Sequence, residues 1–315
     1  MSEEEAVLAT TVTLAVGLVG CSKSPKDTFV DAHADLQKAK TYESDSKITA
    51  KLDGAGKPEY EQVSKILDSA QIKFNTLANV DKEQYEVKYN LNLDQGPMKI
   101  DLTVPVYMEN SKVYMKADEF EKMTSFYGGM ELPSELKGKI IELDTGKNVD
   151  KEKQKQLQEK MQEDLYKIVK DVPKENFKKT DNTVSVSIPG NKASELVEKY
   201  LKEGMKAAGQ EVDKNTAKEL EKALKENVEF GNIVVNSTIE KGEVKKEVFT
   251  IPVTVKSDGE KVTLKLKVEN TYKQFNKPVK FSFNVDKKNV IKFEDFQKKL
   301  TDIQSEGFEV TSEEF

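Results

Sequence analysis

The sequence predicts an α+β fold, an antiparallel β-sheet with one apolar face covered by helices. Three observations predict it. Long segments alternate apolar and polar residues at period two, helical patterns interrupt them, and the composition is that of a folded, highly charged chain. Of 315 residues, 37% are hydrophobic and 34% charged. So low an apolar share suffices because it is arranged in clean periodic segments.

The elements follow in chain order. Asp27 to Lys40 (DTFVDAHADLQKAK) reads as an amphipathic helix, with Phe29, Val30, His33 and Leu36 at helical spacing and Asp27 able to cap its start. His33 lies on or beside that stripe and reads as a side chain packed near a core, not as a ligand or base. Strict alternation marks 85–93 (Tyr85, Val87, Tyr89, Leu91, Leu93), 98–108, 261–268 and 279–285 (Val279, Phe281, Phe283, Val285). Weaker alternation marks 42–52, 70–80, 177–188, 228–240 and 244–256, which makes about nine or ten strands. Helical patterns fall at 58–69, 151–171, 190–208, 213–226 and 291–303. In 151–171 the apolar positions Leu157, Met161, Leu165 and Ile168 form one stripe among Lys, Glu and Gln, as in a helix lying on a sheet.

Two stretches echo each other. LTVPVYMENSKVYMK (102–116) and FTIPVTVKSDGEKVTLK (249–265) both run Thr, aliphatic, Pro, Val, a polar turn, then an alternating strand. Pro105 and Pro252 lack a backbone N–H, so each belongs at an edge or a bulge. The echo suggests one domain over 27–305 with an internal pseudo-repeat (27–145 and 150–303), joined near Gly138–Asp150.

Charge and residue usage exclude several classes. Fifty basic residues face 56 acidic ones, for a net charge of −6. Every strong base is a lysine, and Lys and Glu interleave, which speaks for a solvated surface and against nucleic acid. The lysine-only set also suggests a low-GC genome and a Gram-positive host. With one cysteine and one histidine, neither a disulfide framework, a cysteine-rich zinc site nor a two-histidine site can form. No phosphate-binding glycine loop, dinucleotide fingerprint, nucleophile elbow or calcium loop occurs, so the expectation is a protein without cofactor, metal or catalytic residues. A histidine–carboxylate pair around His33 in a cleft would reopen the enzymatic reading. Phe126–Met130 (FYGGM) reads as a turn, and Thr311–Phe315 as a frayed tail.

The remaining signal is at the start. Ala6 to Gly20 (AVLATTVTLAVGLVG) is fifteen uncharged residues, too short to span a membrane in comfort and the right length for a signal-peptide core. Met-Ser-Glu-Glu-Glu precedes it, where a signal peptide carries Lys or Arg. The run ends Leu18-Val19-Gly20-Cys21, which resembles the lipobox of bacterial lipoproteins. The resemblance implies cleavage before Cys21, a diacylglycerol on its thiol, and a tether over residues 21–26 holding the protein on the extracytoplasmic face of the cell membrane.

With Asp27–Lys40 leading into Thr41–Leu52, and with SKVYMKADEF (111–120), the chain resembles the lipoprotein-carrier-like family. That family includes the periplasmic lipoprotein chaperone and mycobacterial lipid-binding lipoproteins, and the likeness is to its Gram-positive branch. The resemblance implies a strongly curved sheet of about 9–11 strands, an unclosed half-barrel with helices on its concave face. It also implies a monomer that binds or transfers a lipid or acyl chain. The alternative expectation is a surface-anchored structural or regulatory interaction module without a ligand.

Overall fold

A computed structural model describes residues 23–53, 58–95, 98–125, 131–145, 151–207, 214–257 and 260–306. These residues form thirteen strands and seven helices. Helix α1 (Pro25–Gln37) leads into strand β1 (Thr41–Asp53), helix α2 (Pro58–Ser69) and β2 (Gln71–Asn79). Then come β3 (Gln84–Gln95), β4 (Met98–Glu109), β5 (Lys112–Lys116), helix α3 (Ala117–Ser125) and β6 (Ile140–Asp144). Helix α4 (Lys151–Asp171) precedes the hairpin of β7 (Phe177–Thr180) and β8 (Thr183–Ile188). Helices α5 (Gly190–Ala207) and α6 (Lys214–Asn227) precede β9 (Val228–Phe230), β10 (Ile233–Glu240), β11 (Glu243–Ser257) and β12 (Glu260–Phe275). Strand β13 (Val290–Lys292) and helix α7 (Phe293–Glu306) end the described chain.

All the strands belong to one sheet, in the order β13-β6-β5-β4-β3-β2-β1-β12-β11-β10-β8-β7, with β9 beside β11. The two ends, β13 and β7, do not meet, so the sheet is an unclosed half-barrel. The first and last long strands, β1 and β12, pair along twelve residue positions at its centre. The α+β class and the one-sided helical cover follow the sequence reading.

The differences have physical causes. The sheet has more strands than expected because β6 and β13, five and three residues long, are too short to show a period. They form a parallel pair, so the sheet is mixed rather than wholly antiparallel. Helix α3, nine residues, was likewise below the length at which a stripe repeats. Segment 177–188 is a tight hairpin turning at Asp181, whose φ is 51°. Segment 228–240 breaks into β9 and β10 at Gly231 and Asn232.

The predicted strand at 279–285 is not a strand. Its amides are claimed elsewhere: the buried Glu86 carboxylate accepts from the amides of Ser282 and Phe283 and from the Ser282 hydroxyl. The segment is a strap across one face, with Phe281 and Phe283 against Tyr107 at 5.6 and 5.9 Å between ring centroids. The start of α1 also differs. Ser24 is its N-cap, accepting from the Asp27 amide at 3.1 Å, while Asp27 sits in the first turn. Pro25 and Lys26, read as tether, are helical.

Both prolines lie where a missing N–H is harmless. Pro105 pairs with Lys88 on one side and falls just before β5 begins to pair with β4 on the other. Pro252 faces the break between β9 and β10, where its carbonyl accepts from the Gly231 amide at 2.9 Å.

Candidate functional site

The register places apolar side chains on one face across the sheet. Val253, Leu264, Leu52, and Ile251, Leu266, Ala50, follow each other directly across β11, β12 and β1. Ile72, Leu91 and Leu102 continue the row through β2, β3 and β4. The opposite face is polar at the centre of the sheet, and towards β4–β6 it carries Tyr107, Tyr114 and Ile140 packed against Phe281 and Phe283. Asp45, Asn75, Asn90 and Thr103 are joined by hydrogen bonds of 2.6, 3.0 and 2.8 Å across four strands.

The apolar face divides into three zones. At one end α1 lies on β7, β8, β10 and β11, and Phe29, Ala32, Phe177, Val184, Val186 and Val235 are fully buried together. At the other end α3, α7 and residues 132–136 enclose a second cluster with Leu136, Ile141 and Phe296 at its centre. The middle, over β1–β4, β11 and β12, is different. Helix α2 crosses β1 and β3, yet Ile72, Tyr89 and Val255 remain 38–45% exposed. Their neighbours Ile48, Leu52, Phe74, Leu264 and Leu266 are only half-buried.

A groove of about 380 Å³ lies beside this middle zone, between α5, α6, β9 and β11. Val197, Leu224, Val228 and Phe230 supply its apolar wall, and Lys225 and Lys256 its rim. The rim is charge-balanced: Lys256 pairs with Glu229 at 3.0 Å and Lys225 with Glu198 at 3.8 Å. Gly190 sets how closely α5 meets β9. A Cβ there would stand 1.9 Å from the Phe230 carbonyl oxygen, so only glycine permits the approach.

A buried polar cluster sits beneath α1. His33 stacks on Phe29 with ring centroids 3.9 Å apart. Its Nδ1 lies 2.7 Å from the Phe29 carbonyl and its Nε2 2.7 Å from Glu247 Oε1. The Tyr272 hydroxyl donates to Glu247 Oε2 at 2.8 Å, and Ser237 Oγ stands 3.4 Å from Nε2. Burial first, and the Glu247 charge second, push the Tyr272 hydroxyl well above the usual phenol range. This is a histidine–carboxylate pair without the geometry of a nucleophilic triad. Hydroxyl and carboxylate both address Nε2, whereas a triad needs them on opposite nitrogens. Ser237 is wholly buried, out of reach of a substrate.

On the polar face, Glu86 is 1% exposed. Burial alone would raise its pKa. The Ser282 hydroxyl and the amides of Phe283 and Ser282 outweigh that and hold the carboxyl below its ordinary range. Nearby, burial and the Glu142 carboxylate push the Tyr114 hydroxyl up to about 12.

The predicted anchor residues Leu18, Val19, Gly20 and Cys21 lie outside the described residues, as do 126–130, 146–150 and 311–315. His33 is packed against the core as its helix position implied. Its partner Glu247 was missed, although the sequence marks it. Along β11, Glu247 occupies the inward register shared by Phe249, Ile251, Val253 and Val255, a charge where the pattern calls for an apolar residue. No helix among the described residues is long and apolar enough to cross a membrane, and none of their acidic or histidine groups forms a metal-binding cluster.

No protein family and no curated protein matches the chain. Among solved structures, one described as lipid–protein interactions in lipovitellin is similar at 8% identity and a TM-score of 0.26. The match covers 78% of this chain and 26% of that one.

Proposed function

We propose that this is a lipid-anchored cell-envelope protein that binds or hands over a hydrophobic ligand, a lipid or acyl chain, without catalysing a reaction. The reading follows the lipoprotein-carrier-like resemblance, with Cys21 as the acylated residue. The observation that carries it is the middle of the apolar face. A row of Leu, Ile, Val, Phe and Tyr side chains runs over six strands there with only partial helical cover. Such a surface gains roughly 25 cal/mol for each Å² removed from water, and an acyl chain laid along it supplies that burial. The adjoining groove, apolar inside and charge-balanced at its rim, suits the neck of an amphiphile.

Native mass spectrometry of the full chain, extracted from membranes in mild detergent, tests both halves of the proposal. The expected spectrum carries a covalent diacylglycerol on Cys21 and a second, dissociable lipid. Leu266→Asp is expected to abolish the dissociable lipid and leave the covalent one, and Cys21→Ala the reverse. A bare protein mass from membrane-expressed wild type would end the carrier reading.

A further inference from the structure

We infer that the His33–Glu247 contact is a pH-sensitive latch holding α1 on the sheet, an inference that stands on the fold and is independent of the ligand proposed above. Proton accounting carries it. The Phe29 carbonyl can only accept, so His33 Nδ1 bears a hydrogen. At Nε2, 2.7 Å from Glu247 Oε1, one further proton lies between the ring and the carboxyl, on whichever side it spends more time. Glu247 Oε2 is already an acceptor, from the Tyr272 hydroxyl. Loss of the shared proton therefore leaves the Nε2 lone pair facing a carboxylate oxygen, and a buried charge without its counter-ion.

The surroundings focus this event on one contact. From β11 the ring meets Glu247, from β12 Tyr272 acts through Glu247, and from β10 comes Ser237. Strands β7 and β8 meet α1 through Phe177, Val184 and Val186. At the end of α4 the Lys26 ammonium donates to the carbonyls of Lys170 and Val172, away from the imidazole. The pair thus joins the third turn of α1 to β11, while Lys26 ties only the first turn. The sign follows: α1 is docked while the shared proton is present and loosens as pH rises through its loss. Loosening uncovers Val184, Val186 and Val235, which continue the apolar face.

The chain's one histidine makes the test direct. The ring is titrated by NMR in the full-length protein between about pH 5 and pH 9. Over the same range, hydrogen exchange in the α1 peptide is followed, corrected for the intrinsic rate. Protection of α1 is expected to fall about tenfold or more with the midpoint of the imidazole titration, while β2–β4 stay unchanged. In Glu247→Gln and, separately, His33→Gln, the pH step in α1 is expected to vanish. Protection of wild-type α1 that shows no step across the titration would overturn the latch. So would a step that survives in His33→Gln, the variant that decides the matter if Glu247→Gln does not fold.

Discussion

The strands beneath α1 and the strands at the centre of the sheet carry the same period-two apolar pattern, yet they end in different environments. Val184 and Val186 are at most 1% exposed, whereas Ile72, Tyr89 and Val255 are 38–45% exposed. Alternation specifies which face is dry. What dries it is decided elsewhere, by whether a helix of the chain lies across it. Under α1 the cover is Phe29 and Ala32, and over the centre it is partial. Here the apolar face is left half-covered at the middle, the feature on which the proposed carrier function rests.

The contrast can be broken by mutation. Phe29→Ala, in the sealed zone, is expected to cost about 4 kcal/mol in urea denaturation, because it removes a ring from a site that cannot collapse. A loss below about 1 kcal/mol would mean the zone is not sealed. Gly190→Ala is expected to cost roughly 3 kcal/mol, since the added carbon must displace backbone at Phe230. Glu86→Ala, on the opposite face, is expected to cost roughly 2–3 kcal/mol and to speed exchange across 279–285, because two amides lose their acceptor. The same carboxyl gives an acid limb. Its pKa is held below the ordinary value of about 4.3, so the folded state binds fewer protons there. That stability is present above the ordinary value and lost as pH falls through the depressed one. Glu86→Gln is expected to flatten this part of the acid-denaturation curve. Smallest of all is Leu266→Ala at the half-covered centre, expected to cost about 1 kcal/mol while weakening uptake of a fluorescent fatty-acid probe several-fold. A cost equal to that of Phe29→Ala would erase the distinction between the two zones.

Much of this was legible in the residues. The long strands, six of the seven helices and the roles of Pro105 and Pro252 follow from period, length and the missing proline N–H. The failures have two causes: β6, β13 and α3 are too short to show a period, and other features are set by groups far apart in sequence that meet in the fold. Segment 279–285 alternates as cleanly as any strand in the chain, but Glu86, almost two hundred residues away, takes its amides. His33 could be placed on a helix face, yet its partner lies 214 residues on. The inward register of Glu247 was the one local sign of it. The candidate site was legible as an apolar face and no further, because partial cover is a property of where helices come to rest. The anchor motif at Leu18–Cys21 remains a matter of the sequence alone.

The two ends of the sheet carry a last consequence. Its outermost strands, β7 and β13, are four and three residues long, and β7 presents Lys178 and Lys179 exposed beside each other. At these two ends a neighbouring molecule seeking a template for edge-to-edge growth finds only three or four residues of backbone, and at β7 two cations as well. The half-barrel stays open, yet neither of its terminal strands offers a long ladder for a second copy to extend.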